Sequence, residues 1–363
     1  MKKKKLIYIL PTFNRDTSTH IFYLYTFIEA LSKHYDMWLI TLSGDDPRDS
    51  FSNITRHSYF GNSWRLTKIV RLASVVKVAR FMGYKTVYVH YSYWTAIVAS
   101  LIMRALGGTV YYWNCGMPWL FGKQRVLRLV LRFVHTLVTG TEIMADEYAR
   151  HYGISREKIK VMPNWIDVAR FDDLPSREEA RKKLSLPVGV PIVLFVHKLV
   201  ARKGADFLPG ILNKLDSNIH MVIVGGGELY ETITKGMSRL GLSNRTHFVG
   251  WSPAYTIPLY MRAADVYVMP SREEGFPRTI LEAMASGTPF VATDVGGMRD
   301  IVPKDLAENV LVSAEDVEEE FPRRVSRILG DHNLQSEIVA RLKNYVRQYE
   351  TERVIEKFYA IVE

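Results

Sequence analysis

Residues 270–289 read Pro-Ser-Arg-Glu-Glu-Gly-Phe-Pro-Arg-Thr-Ile-Leu-Glu-Ala-Met-Ala-Ser-Gly-Thr-Pro. The stretch follows a short β-branched and aromatic run at 266–269 and precedes another at 290–292. Two prolines and Gly275 mark its first part as a loop. A helical pattern then starts at about Arg278 and stops at Gly287, where a glycine suits a helix end. Strand, polar loop, helix, strand is the unit of a parallel sheet. In such sheets ligands bind beyond the carboxyl ends of the strands, so the polar loop is expected at the site.

The same alternation runs outward in both directions. In the second half, strands are expected at 192–196, 220–224, 246–249, 266–269, 290–292 and 310–312. In the first half they are expected at 6–10, 37–41, 86–90, 109–112 and 160–162, with helices at 19–33 and 93–105 among those between. Two such sets predict an α/β protein with two Rossmann-like, doubly wound parallel-sheet domains facing a cleft. Turn and breaker residues at 172–176 and 187–191 place the boundary near 165–190. The expected division is 1–168, then 169–345, then a C-terminal helix at 346–363 that packs back on the first domain. The whole tail from about residue 334 reads as helical.

Each strand of the second half is followed by residues suited to a polar ligand. His197, Lys198 and Arg202-Lys203-Gly204 come after 192–196, and Gly225-Gly226-Gly227-Glu228 after 220–224. Gly250-Trp251 comes after 246–249, the loop 270–277 after 266–269, and Thr293-Asp-Val-Gly-Gly297 after 290–292. Lys198 and Lys203 are suited to neutralise a diphosphate, and the glycines let backbone approach a ligand closely. The loop Glu274-Gly275-Phe276-Pro277 leads into helix amides at Arg278 and Thr279 that would face an anion or sugar hydroxyls. Glu282, one turn in, could accept two hydrogen bonds from a ribose diol. Taken singly, Glu282 could be a helix-dipole partner, Lys203 a solvated lysine and the glycines a plain turn. Their joint order favours a nucleotide-sugar site.

The 270–289 segment closely resembles the signature of the family-four retaining glycosyltransferases, glycosyl transferases group 1, of the GT-B fold. That family carries two glutamates separated by seven residues, here Glu274 and Glu282. The resemblance implies that Glu274 contacts the donor sugar and Glu282 the ribose, with base recognition near Gly250-Trp251. It continues through Lys198 to Gly204, where the family has Arg and then Lys-Gly; Lys198 keeps the charge and loses the planar fork. Pro163-Asn-Trp-Ile-Asp167 is similar to the segment before the interdomain crossover, and Gly296-Gly297 also fits. The implied reaction is transfer of a hexose from a nucleoside-diphosphate sugar with retention. No cofactor is implied beyond that donor. No metal is expected either, since the chain has no Asp-x-Asp triplet.

In this architecture the acceptor lies against the first domain. After the first strand the chain has Asn14-Arg-Asp-Thr-Ser-Thr-His20 rather than a glycine-rich loop. Arg15, Ser18 and Thr19 are suited to donate to a phosphate, with Ser18 and Thr19 the acceptor-side candidates, and Ser18 or Thr19 equally suited to cap the following helix. The family often places a histidine beyond a middle strand; here Tyr112-Trp-Asn-Cys-Gly-Met-Pro118 has Asn114 or Cys115 instead, leaving His90 and His20 as nearby candidates. The surrounding Tyr and Trp residues form either a sugar or lipid platform or simply core.

Charge adds a partner. Residues 1–170 hold 24 Lys+Arg and 11 Asp+Glu, net +13, whereas the rest carry −3. Between Ser50 and Thr141 there is no acid and there are twelve bases, clustered at Arg65–Arg80 and Lys123–Arg132 among Leu, Val and Ile. Such stretches match an anionic membrane surface or an ordinary helix with a solvated basic side; nucleic acid is not expected, as no recognition motif is present. The lysine-led N-terminus is too short in its apolar run for a signal peptide, no 18-residue apolar run occurs, and the single cysteine fits a reducing compartment. The expected place is the cytoplasm, peripheral on the membrane, and the expected acceptor a glycan precursor of polysaccharide or glycolipid synthesis, membrane lipid-linked for preference. The rival readings are a phosphorylase or epimerase of the same fold, or a non-catalytic binder of anionic lipid or nucleic acid.

Overall fold

The computed structural model describes residues 3–15, 23–61, 65–122 and 124–362. They form two compact units. Unit 1 comprises 1–163 and 351–363, and unit 2 comprises 164–350.

In unit 1 the strands are β1 (Lys4–Leu10), β2 (Tyr35–Thr41), β3 (Arg56–Tyr59), β4 (Thr86–His90), β5 (Thr109–Trp113), β6 (Thr136–Thr139) and β7 (Ile159–Val161). They make one parallel sheet in the order β3-β2-β1-β4-β5-β6-β7. The helices between them are α1 (Tyr23–Ser32), α2 (Arg65–Phe81), α3 (Tyr93–Leu106), α4 (Gln124–Phe133) and α5 (Glu142–Tyr152). Alternate residues of each strand point to opposite faces, and both faces are covered. Ile7, Ile9, Val87 and Val89 pack under α2 to α5 through Leu72, Val76, Ala99, Met103, Leu127, Val130 and Tyr148.

Unit 2 contains α6 (Arg177–Lys183), β8 (Ile192–Val196), α7 (Leu208–Asn213), β9 (His220–Val224), α8 (Tyr230–Arg239), β10 (Thr246–Gly250), α9 (Ile257–Ala263) and β11 (Val266–Met269). Then come α10 (Arg278–Ser286), β12 (Phe290–Thr293), α11 (Met298–Ile301), α12 (Ala307–Val310), β13 (Leu311–Val312), α13 (Val317–Gly330) and α14 (His332–Tyr345). The sheet is again parallel, ordered β10-β9-β8-β11-β12-β13. Strand β8 is wholly buried, as its unbroken apolar run requires. The chain then crosses back, and α15 (Thr351–Val362) joins unit 1 beside α1. Phe358 anchors it, with its ring 4.8 Å from that of Tyr88 and edge-on to Phe27 and Tyr35.

Two strands were not anticipated. Arg-His-Ser-Tyr of β3 carries no apolar alternation and forms a half-buried edge. The four residues of β6 follow directly on the apolar end of α4, so the two patterns merge in the sequence. The tail is not one helix: it breaks at the 3-10 turn Val346–Tyr349 and at Glu350, which is extended and bridged to Ile166. Residues 16–22 are outside the described residues, and Ser18, Thr19 and His20 with them.

Candidate active site

In unit 2 the strand order reverses direction between β8 and β11, so the loops after these two strands flank the crevice where ligands bind in doubly wound sheets. The 3-10 turn after β8 carries Ala201-Arg202-Lys203. It and the next turn, Ala205–Phe207, meet the loop after β11 in three ion pairs. Lys203 Nζ lies 2.6 Å from Glu274 Oε1, with both side chains only 7% exposed. Arg202 Nη1 lies 2.7 Å from Glu273 Oε1, and Arg272 grips Asp206 with two 2.7 Å bonds. Lys203 also donates to the Glu273 carbonyl at 3.3 Å, and Ser271 Oγ donates to Glu274 Oε1 at 2.8 Å. An ammonium has three N–H groups, so one remains for a ligand.

The backbone is shaped to permit this approach. Gly204 has φ +67°, and a Cβ there would collide with the Pro270 carbonyl oxygen. Gly225 has φ +136° and abuts the His197 carbonyl in the same way, while its N–H donates to the Gly250 carbonyl at 2.7 Å. Gly227 passes close to Leu199, whose N–H donates to the Gly226 carbonyl at 3.0 Å. The glycines therefore lace the ends of β8, β9 and β10 together.

From the other side, Asn164 Nδ2 donates to the Phe276 carbonyl at 2.9 Å, and the Gly297 N–H to the Glu274 carbonyl at 3.3 Å. Buried Thr293 donates its hydroxyl to the Ser271 carbonyl. Arg278 donates to the Trp165 carbonyl. Gly275, Phe276 and Pro277 are thus held in one conformation, with the Phe276 ring edge-on to Tyr349. Pro277, in extended conformation, precedes α10, whose first turn has no side-chain cap. Its leading amides are free of intrahelical partners.

Glu282 is buried on α10. Burial pushes its carboxyl above the ordinary value, partly offset by Arg278 and then Arg170. The Tyr267 phenol is raised by burial; its bond to Thr279 Oγ1, at 3.0 Å, opposes this, and Glu274 and Glu282 add to it. One tyrosine thus feels both glutamates. Burial, with Lys203, Arg202 and Lys198 nearby, keeps His197 far below its usual value and neutral. Lys198 is exposed, and Trp251, after β10, is 60% exposed.

In unit 1, His90 is fully buried at the end of β4, its Nδ1 2.7 Å from Tyr8 Oη, and burial lowers it to about 3. It is a core histidine among Tyr8, Tyr88, Tyr91 and Trp113. Asn114 is also buried; it accepts from Gly116 N–H and donates to Tyr112 Oη, both at 3.0 Å. Its side chain closes a turn. The sequence did not single out Ser271, Arg272, Glu273, Asp206 or Thr293. The signal available was charge order: Arg202-Lys203 and Asp206 face Glu273-Glu274 and Arg272 with opposite sign at every rung.

Residues 176–348 match the family described as glycosyl transferases group 1, and residues 22–170 that described as glycosyltransferase family 4. A D-inositol 3-phosphate glycosyltransferase of Xylanimonas cellulosilytica is 33% identical over 189 residues, 50% of this chain and 45% of the relative. A 2-deoxystreptamine N-acetyl-D-glucosaminyltransferase of Streptomyces fradiae is 32% identical over 195 residues, 52% and 46%. The chain thus spans about half the length of the curated relatives it matches. The crystal structure of Anabaena HepE with UDP and glucose superposes with a TM-score of 0.82 over 99% of both chains, at 20% identity. That likeness shows the fold, GT-B, and the two family matches show that the chain belongs to the group 1, family-4 glycosyltransferases.

Proposed function

We propose that the protein transfers a sugar from a nucleoside-diphosphate sugar to an acceptor, with retention at the anomeric carbon. The observation that carries this reading is the buried Lys203–Glu274 pair at the strand-order reversal of unit 2, on the helix α10 loop that leads to Glu282. Binding of UDP and glucose by the Anabaena relative of the same fold supports the donor class. In this reading Glu282 holds the ribose diol, Trp251 lies beside the base, and Glu274 with the 275–277 backbone holds the sugar.

The bond from anomeric carbon to diphosphate oxygen breaks as the bond to the acceptor oxygen forms on the same face. Lys203, Lys198 and the leading amides of α10, near Thr279, stabilise the growing negative charge, in place before the reaction starts. The acceptor proton passes to the departing diphosphate oxygen. This chemistry asks for no metal, and chelator-treated enzyme is expected to keep its rate.

The acceptor is proposed to be a lipid-linked glycan precursor met at an anionic membrane, on its cytoplasmic face. Support comes from α2 and α4. Leu66 and Phe81 are each 73% exposed, and Val126 and Leu129 lie bare beside exposed Arg125, Arg128 and Arg132. Cations flanking exposed apolar side chains suit an anionic headgroup layer. Among the described residues no helix is long and apolar enough to cross a membrane.

Thermal titration with UDP, GDP, ADP and CMP tests the donor assignment. A nucleotide that binds only folded protein raises the melting temperature, and the rise is expected in wild type and not in Glu282→Ala. No rise with any nucleotide would remove the donor site and bring forward an anionic-lipid binder without transferase activity. Proton NMR of the first product then reads the anomeric configuration; inversion would defeat the retaining mechanism.

A further inference from the structure

Unit 1 has its own point of strand-order reversal, between β1 and β4. A cavity of about 300 Å³ opens there. Its walls are Pro11 after β1, Ser43 after β2, Ser92 and Trp94 after β4, and Arg65 and Lys68 from the first turn of α2. That volume is at the small end of the range for ligand sites. Arg65 and Lys68 are three apart on a helix and so share a face.

The charge balance in this cavity is one-sided. Lys68 Nζ donates to the Leu42 carbonyl at 2.7 Å, which fixes the ammonium at the rim with two N–H groups left. Among the described residues neither cation is in an ion pair, and no acid occurs in the sequence from Ser50 to Thr141. The acids of the preceding loop are engaged elsewhere. Asp46 pairs with Arg48 at 2.6 Å, Asp49 lies 3.9 Å from Arg15, and Asp45 accepts the Arg15 N–H at 2.9 Å. Two cations in a concave wall with no counter-ion among the described residues call for an anion, and the partly exposed Trp94 ring offers a flat apolar face to a sugar.

We infer that this cavity binds the phosphate of a phosphorylated sugar acceptor, with Arg65 and Lys68 on the phosphate and Trp94 against the sugar ring. The inference rests on the transferase reading above and names its acceptor class. The phosphate could belong to a soluble sugar phosphate or to a lipid headgroup, and the two are separated by the probe.

The test is equilibrium binding to protein saturated with whichever nucleoside diphosphate raises its melting temperature, so that unit 2 is filled. Glucose 1-phosphate is the soluble probe. Phosphatidylcholine vesicles with and without phosphatidic acid are the lipid probe. The expected result is binding of one probe that weakens at least about tenfold in Arg65→Ala/Lys68→Ala, as loss of two charge-assisted hydrogen bonds implies. Nucleotide binding should stay unchanged in that variant, whose only structural cost is the Lys68 bond to the Leu42 carbonyl. Lys77→Ala/Arg80→Ala, on the far end of α2, serves as the control for general charge attraction. Equal weakening in the control, unchanged binding in the Arg65/Lys68 variant, or binding of neither probe would overturn the inference. If no nucleotide binds, the donor reading fails separately, and the same titration on nucleotide-free protein still decides the cavity.

Discussion

Lys203 and Glu274 are each other's main counter-charge in a nearly water-free place. Removing one partner of such a pair typically costs about 3–5 kcal/mol, because the other charge is left buried and unpaired. Lys203→Met alone is therefore expected to lower both stability and turnover, the latter by roughly 100-fold or more if it acts as an oxyanion-type donor. Lys203→Met/Glu274→Gln separates the two effects. Denaturant unfolding should show most of the stability restored, while initial rates stay low. Rates that recover with stability would reduce the lysine to a structural role. Glu282 makes a pH prediction. Its folded-state pKa is raised, so its contribution to stability is fully present below the ordinary carboxylate value and is lost as pH rises through the raised one. Glu282→Gln is thus expected to gain stability on wild type as pH rises through that window. Nucleotide affinity should run the other way: in the proposed donor site the ribose diol needs the carboxylate, so wild-type binding is expected to weaken as pH falls through the raised value. Calorimetric titrations at several pH values should show this slope in wild type and a flat line in Glu282→Gln.

At the scale of elements, α4 is buried through Leu127, Val130 and Leu131 and bare through Val126 and Leu129, with arginines between. Leu129→Asp leaves the core row untouched, so folding should hold while co-sedimentation with anionic vesicles falls several-fold. Unchanged sedimentation would return α4 to the status of a solvated helix. The central strands of unit 2 were readable within one residue because burial on both faces forces continuous apolar runs such as Ile192–Val196. β3 was not readable, because an edge strand of Arg-His-Ser-Tyr owes its place to pairing with Trp38–Thr41 and not to its own pattern. Within the site, Glu274, Lys203 and the glycines stood out by residue type and position after strands. Arg202–Glu273 and Arg272–Asp206 did not, since a pair 66 or 71 residues apart in sequence is made only when the sheet order brings β8 beside β11. His90 is the converse case. As a letter after a strand it looks available for chemistry; the fold surrounds it with four aromatic side chains and holds it neutral.

At the scale of the whole molecule, unit 1 is built from two separated pieces of chain, and the second piece is a single helix. Phe358 is fully buried on α15 against Phe27, Tyr35 and Tyr88. Phe358→Ala is expected to cost unit 1 about 3–5 kcal/mol, read as an earlier unfolding transition, while the nucleotide-dependent melting shift of unit 2 persists. Loss of that shift as well would mean that the two units unfold as one. The discontinuity also orders events at the ribosome. All 187 residues of unit 2, Asn164 to Glu350, are synthesised before the helix that closes the sheet face of unit 1. The half expected to hold the nucleotide can therefore finish folding while the earlier-made half still exposes Phe27, Tyr35 and Tyr88, and in that interval a nascent chain is a client for chaperones through its N-terminal, not its C-terminal, domain.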